Sequence, residues 1–178
     1  SNHMSNLLVQ NIKHTNGTTA QTIDSTGRIT TPARPSFLVR GYGSVTGGSQ
    51  SINNITTNSN VGIMYNFDEV SHNIGSHFSN STGKFTVPIS GLYHISGGYG
   101  YKASTAYGHF AIFAQDGDHV DNGFLANYTP DDESAYSSHL AFVKQCAVGD
   151  EIAAGYITGY SGPGTVTEYF HFGVTLLG

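Results

Sequence analysis

The sequence predicts an all-β sandwich or barrel. From Phe37 onward, apolar residues recur with a period of two, and nowhere do they keep helical spacing through a window of about eleven residues. Charged residues make up only 11% of the chain, and the shortage of Lys and Glu is unfavourable for long surface helices. The 23 glycines, with many Thr, Ser and Tyr residues, are typical of short strands joined by tight turns.

Strands are predicted wherever the period-two pattern runs between turn signals, and at least eight such strands indicate a sandwich or barrel. Asp116-Gly117 is predicted to form a hairpin turn, because both central positions need a positive φ that this pair tolerates. Residues 47–60, rich in Ser, Asn, Thr and Gly, are predicted to form a long surface loop. The predicted strands are 36–42, 61–67, 83–89, 91–102, 107–115, 118–125, 137–145, 150–158 and 168–177.

The chain divides into three segments. Residues 1–4 have the sequence of a cleavage and cloning remnant. Residues 5–35 contain short polar and apolar stretches between turn signals, and Pro32 and Pro35 then interrupt regular pairing. This leader has too little apolar area to fold alone, so it is expected to intertwine with copies from other chains, while residues 36–178 form the main domain.

Composition argues against several classes of partner. The net charge is −5 with only seven Lys and Arg residues, which is unfavourable for nucleic-acid binding. The single cysteine, Cys146, cannot form an intramolecular disulfide, and no Cys/His spacing typical of zinc sites is present in the sequence. No apolar run approaches the roughly 20 residues that span a bilayer, so membrane insertion is not expected.

Two strands are apolar on both faces. In 168–177, Phe170 and Phe172 lie on one face while Leu177 lies on the other, and in 91–102 Tyr93 and Ile95 lie opposite Leu92. A sheet with one solvated face should alternate more cleanly. The second face is therefore expected to be covered by another subunit.

One set of spaced residues resembles a family signature. Five residues separate the first pair of this set, then four, six, five and one separate the following pairs. This spacing resembles the C1q-domain signature, and residues 81–93 resemble its central block; where the family usually has an aromatic pair, this chain has Ile95 and Gly97. Residues 137–152 and 172–177 are similar to later family strands. The signature residues are Phe67, Asn73, Phe78, Phe85, Gly91 and Tyr93.

The resemblance implies a C1q/tumour necrosis factor-like fold, a ten-stranded jelly-roll β-sandwich that forms a homotrimer. From the residues alone, Phe85, Val87 and Ile89 are predicted on one face of a strand, with Gly91 permitting a tight reversal before Tyr93. These residues define a core and a corner. They identify a fold and give no direct information on a ligand.

The leader indicates where such a head would be found. Residues 18–29 resemble a repeat of phage tail fibres and bacterial surface fibres, and the Gly-x-y collagen stalk of the animal proteins is absent from the sequence. We therefore expect an extracellular trimeric fibre tip, in a cell-surface fibre or virion, that recognises a cell-surface glycan or protein. A purely structural trimerisation or capping domain is the alternative, and a glycan-degrading tip is less favoured.

Acidic loops suggest a metal site. Oxygen-rich loops are what calcium requires, and some family members bind calcium, but turn geometry alone explains Asp116, and no EF-hand spacing is present in the sequence. Solvated turn carboxylates are the favoured interpretation over a calcium site. The candidate ligands are Asp116, Asp118, Asp131 and Asp132.

Histidines and tyrosines supply further candidates. A histidine near a threefold axis appears three times, enough to bind a metal or anion or to respond to pH, and His94 and His171 are the predicted axial residues. Tyrosine rings in loops suit glycan stacking, although Trp, the better platform, is absent. No nucleophile elbow or phosphate loop is present in the sequence, so an enzyme is not expected. The candidate ligand-binding tyrosines are Tyr107, Tyr128, Tyr136 and Tyr160.

Overall fold

The computed structural model describes residues 8–46, 51–52, 55–56, 61–99, 109–116, 119–120, 138–157 and 164–178. Within these ranges every regular element is a β-strand. Over the same residues, no helix has the length and apolar character that crossing a membrane would need. The strands are β1 (Asn11–Lys13), β2 (Thr19–Ile23), β3 (Ile29–Thr30), β4 (Ser36–Val45), β5 (Ser51–Ile52), β6 (Ile55–Thr56), β7 (Val61–Tyr65), β8 (Glu69–Ile74), β9 (Phe78–Ser79), β10 (Lys84–Thr86), β11 (Gly91–Tyr99), β12 (His109–Asp116), β13 (His119–Val120), β14 (Ser138–Cys146), β15 (Glu151–Ile157) and β16 (Gly164–Leu176).

Two compact units divide the chain between Arg34 and Pro35. In the first unit, β1, β2 and β3 form an antiparallel sheet. Its second turn is closed by the Asp24 carboxylate, which accepts bonds from the backbone N–H groups of Thr26 and Arg28, each at 2.9 Å. These bonds, the Arg28 backbone bond foremost, lower the pKa of Asp24 to about 2.

The second unit is a two-layered sandwich. Its first layer has the strand order β8-β4-β16-β11-β14, and its second layer contains β13-β12-β15-β7 with β10 and β9 beside them. The layers are joined where β4 pairs with β7 through Ser44 and Val45. The neighbouring strands β4, β16, β11 and β14 pair antiparallel, so residues opposite one another can be read directly from the register.

An aromatic cluster fills the space between the layers. The ring of Phe37 stacks on Phe78 with centroids 4.3 Å apart and on Phe85 at 5.2 Å, and it meets the edge of Phe172 at 5.0 Å. Phe85 in turn contacts the ring of Tyr93 at 6.0 Å. Aliphatic side chains from both layers complete the core, among them Val39, Ile63, Met64, Ile95, Ile112, Ile152 and Val174.

The predicted period-two faces of β11 and β16 are confirmed. Tyr93 and Ile95 are buried while Leu92 is exposed, and Phe170 and Phe172 are buried while Leu177 is exposed. The alternation holds because side chains on a strand point to opposite faces in turn. The last three positions of the predicted strand 91–102 lie outside the described residues.

Several predicted details were wrong. β10 ends at Thr86, so Ile89 leaves the face shared by Phe85 and Val87 and is 54% exposed. The strand β8 was not predicted, because its alternation is weak and most of its residues are exposed. The segment 47–60, predicted as a loop, includes the short paired strands β5 and β6.

Candidate functional site

The signature residues are structural. The side chain of Asn73 closes the turn before β9, since its Nδ2 donates to the carbonyl oxygen of Phe78 at 2.8 Å while its Oδ1 accepts from the Phe78 N–H at 3.2 Å. Asn80 makes the same pair of bonds with the backbone of Phe67, both at 2.8 Å. Tyr93 donates its hydroxyl to the carbonyl oxygen of Ile89 at 2.7 Å. These bonds fix the corners around the aromatic core.

Gly91 has a different role from the predicted one. A Cβ atom there would lie 2.8 Å from the carbonyl oxygen of Gly178 and 2.9 Å from Cδ1 of Leu176. Its φ is not in the left-handed region, so a tight reversal is not what requires glycine. Glycine is needed because the C-terminal strand passes so closely over it.

The candidate functional surface is the outer face of the first layer, meaning the face directed away from the core. Register places His94 opposite Val143 and Thr175, and Ser96 opposite Ala141 and Gly173. The residues of this face are Ser36, Leu38, Arg40, Glu69, His72, Ile74, Leu92, His94, Ser96, Gly98, His139, Ala141, Val143, Gln145, His171, Gly173, Thr175 and Leu177.

Apolar side chains concentrate at one end of this face. Leu92 is 44% exposed, Val143 is 53% exposed and Leu177 is 46% exposed. They are neighbours, because the Leu177 N–H donates to the carbonyl oxygen of Leu92 at 2.8 Å and Val143 pairs with the adjacent residue His94. Large apolar side chains exposed together in this way are typical of an interaction surface.

Imidazoles and a charge pair occupy the other end. The rings of His139 and His171 lie 5.3 Å apart at an interplanar angle of 25°. On the next strand, Arg40 pairs with Glu69 at 2.6 Å. This bond raises the pKa of Arg40 and lowers that of Glu69.

Of the two predicted axial histidines, the structure brings only one to another histidine. His94 is exposed and lies beside the apolar end of the outer face. His171 is half-buried and stacks on His139, a residue that sequence reasoning did not select. Burial, with a smaller contribution from His139, lowers the pKa of His171.

Most other predicted site residues lie outside the described residues. Asp116 ends β12 and pairs with His119 across the predicted hairpin, whose central positions are not described. Within the described part of the chain, no group of three or more His, Cys, Asp or Glu side chains could hold a metal ion. The candidates beyond the described ranges are Asp118, Asp131, Asp132, Tyr107, Tyr128, Tyr136 and Tyr160.

Cys146 is a core residue at the end of β14. Its side chain is buried, and its Sγ lies 3.7 Å from the carbonyl oxygen of Lys144. Burial above all, with the charge of Asp150 second, raises the thiol pKa to about 11. At neutral pH the thiol is therefore protonated and a poor nucleophile.

Comparisons with known proteins agree with this architecture. The globular domain of zebrafish complement 1qA protein superposes with a TM-score of 0.57 at 15% identity, covering 81% of this chain and 98% of that one. PRD1 vertex protein P5 superposes with a TM-score of 0.53 at 12% identity, covering 94% of this chain and 87% of that one. At these identities the likeness concerns the fold alone. A comparison with curated protein sequences finds no match.

Comparison of the sequence with family models identifies the family. The C1q domain family model matches residues 49–152, more than half of the chain. The matched range holds every one of the signature residues, and the structure shows what they do in the core and at its corners. The chain therefore belongs to the C1q domain family.

Proposed function

We propose that this chain is the binding head of a homotrimeric extracellular fibre, which recognises a cell-surface glycan or protein. The observation that carries the proposal is the apolar end of the outer face, where Leu92, Val143 and Leu177 stay exposed in the single chain. A head of this kind would use one surface for assembly and its loops for recognition.

Family membership supports a trimeric binding module. C1q and tumour necrosis factor-like domains form homotrimers and are generally binding modules rather than enzymes. C1q domains are also typically extracellular. This chain fits a trimeric binding or capping module, and the partner is the part that we propose.

The apolar end of the outer face is the proposed contact between copies. Burying the exposed halves of Leu92, Val143 and Leu177 would stabilise an assembly by about 25 cal/mol for each Å² of apolar surface removed from water. His94, in register with Val143, would enter the same contact. With assembly accounted for in this way, the loops at the strand ends are left for a partner.

The proposed recognition elements are the loop tyrosines and acidic residues. Tyrosine rings stack on sugar C–H groups, while carboxylates bond hydroxyls or bind calcium. Three copies of a weak site on one head would bind a cell surface far more tightly than one copy. The proposed residues are Tyr107, Tyr128, Tyr136 and Tyr160, with Asp116, Asp118, Asp131 and Asp132 as calcium ligands.

The leader and one structural neighbour support a place in a fibre or virion. The strands of the leader form a small antiparallel sheet within its own compact unit, which would suit a stalk segment. PRD1 vertex protein P5, whose fold resembles this one, is by its name a protein of a vertex. We propose that the leader is the end of a stalk on which the head is mounted.

A binding assay tests recognition. Fluorescently labelled chain is applied to a glycan array and to intact bacterial and animal cells, beside a variant carrying Leu92→Asp and Val143→Asp. We expect the unaltered chain to bind at least one surface and the assembly-deficient variant to bind it at least tenfold more weakly, since avidity is lost. No binding by a trimeric chain to any surface, with attachment intact after the head is deleted from its fibre, would overturn the proposal.

A structural capping role is the second candidate. It is favoured by the same apolar end of the outer face, which explains assembly without any ligand. In that case the leader and stalk of a longer fibre should melt at a much lower temperature once the head is removed, and no surface should bind the head. A head that binds a surface and leaves the stalk's melting temperature unchanged would exclude pure capping.

A further inference from the structure

We propose that His139 and His171 form a binding site for a divalent transition-metal ion of the zinc class. The site lies on the outer face of the first layer, at the end opposite the exposed leucines. Both ligands belong to one chain, so the inference stands apart from the partner proposed above.

The strand register explains how two imidazoles meet there. His139 on β14 and His171 on β16 are both paired with Gly98 on the intervening strand β11. Their backbones are thus two strand spacings apart, about 10 Å. Glycine places no side chain between them, so both rings can extend over the central strand, and Gly98 is buried although it belongs to the outer face.

The distance between the rings suits a shared metal ion. Zinc binds an imidazole nitrogen at about 2.0–2.1 Å, which puts the ion about 3.2 Å from the ring centre. Two such rings at a tetrahedral angle have centres about 5.2 Å apart. The observed separation of the His139 and His171 ring centroids is 5.3 Å, with the ring planes 25° apart, and rotation about the side-chain bonds would turn one nitrogen of each ring towards a common ion.

The ring nitrogens of this pair are available. Elsewhere, His72 Nε2 lies 2.9 Å from Ser36 Oγ, and His14 Nδ1 accepts a bond from the Asn16 N–H at 3.2 Å. Within the described residues, no hydrogen bond joins the side chain of His139 or of His171 to another group.

The positive charge on the neighbouring strand β4 is neutralised by an ion pair. Arg40 is in register with His171, but its guanidinium is engaged by Glu69 at 2.6 Å. Two protein ligands leave the remaining coordination positions to water, which is the arrangement of an open site. Such a site should bind more weakly than a closed site with four protein ligands.

Titration of the whole chain with Zn²⁺ tests the site. Chelator-treated protein is titrated by calorimetry as the unaltered chain, His139→Ala, His171→Ala and the control His72→Ala, which removes a histidine from the same face but outside the pair. We expect one Zn²⁺ ion per chain, at least tenfold weaker binding in either pair variant and no change in the control. Addition of Co²⁺ should give a visible absorption band in the unaltered chain and in the control only.

Two results would overturn the inference. One is equal Zn²⁺ affinity in all four proteins, and the other is an equal loss in the control variant. Circular dichroism of each variant shows whether it is folded, and His139→Gln, which keeps size and polarity, replaces any variant that is not. Mass measurements on the same samples keep the result distinct from the proposed function, because trimer formation and surface binding can each fail while the ion still binds.

Discussion

On its core face, the first layer presents Tyr93, Ile95 and Phe172, each with essentially no exposure, whereas on its outer face the same strands carry Leu92, Val143 and Leu177 at 44–53% exposure. Both faces hold large apolar side chains on one backbone. The core face is satisfied within a single chain and the outer face is not. The core face therefore stabilises the fold of one chain, whereas the outer face is available for assembly with other copies.

The largest effect is expected from opening the core face. Phe37→Ala removes a ring that contacts Phe78, Phe85 and Phe172, so the free energy of unfolding should fall by about 3–5 kcal/mol. Urea denaturation at a fixed protein concentration measures it, with Phe37→Leu as the smaller control. A loss below about 1 kcal/mol would mean that the aromatic cluster is not the core.

The reactivity of the Cys146 thiol tests whether the core is closed to solvent. Its pKa of about 11 in the folded chain lies above the ordinary value of 9.0, so below pH 9 the reactive thiolate should be about 100-fold scarcer than in the unfolded chain. Iodoacetamide labelling followed by mass spectrometry measures the rate. Because the raised pKa favours the neutral thiol, its stabilising contribution is complete below the unfolded pKa and is lost as pH rises through 11. Equal labelling of folded and unfolded protein at pH 8 would contradict burial.

Substitution of two glycines distinguishes the effect of backbone strain from the effect of steric crowding. Gly83 and Gly149 both have positive φ, at 71° and 90°, but a Cβ at Gly83 would overlap the carbonyl oxygen of Met64 while one at Gly149 meets nothing within 4 Å. Gly149→Ala should lower the unfolding free energy by about 1 kcal/mol and Gly83→Ala by about 2 kcal/mol more. Thermal unfolding of the two variants measures these losses. Equal losses of unfolding free energy would mean that the close approach of Gly83 to the Met64 carbonyl oxygen has no effect on stability.

The smallest effect is expected at Ile89. Because this side chain is 54% exposed, Ile89→Thr should change the unfolding free energy by no more than about 0.5 kcal/mol. Val87→Thr, at a position 1% exposed, is the matched comparison and should cost about 1–3 kcal/mol. Similar losses for the two variants would restore the sequence-based assignment of Ile89 to the core.

The fold could be predicted from the sequence more fully than the histidine pair could. The period of two and the signature spacing predicted the core positions of Phe85 and Tyr93, because burial on alternate residues leaves a direct trace in the sequence. The pairing of His139 with His171 leaves no such trace. Those residues are far apart in the chain, and only the register through Gly98 brings them together.

The geometry of the outer face also explains why the two predicted axial histidines lie far apart. His94 and His171 both lie on the outer face of the first layer. The period-two pattern gives the face of a residue, but it does not give its position along the strand. His94 accordingly lies beside Val143, and His171 lies at the opposite end of the outer face.

The solution mass of the unaltered chain, measured by light scattering with and without a chelator, tests most directly whether the outer face joins copies. We expect a mass of about three times 18.9 kDa in both conditions, and a lower mass for the variant with Leu92→Asp and Val143→Asp. A single-chain mass for the unaltered protein, or a trimer that survives both substitutions, would contradict this expectation.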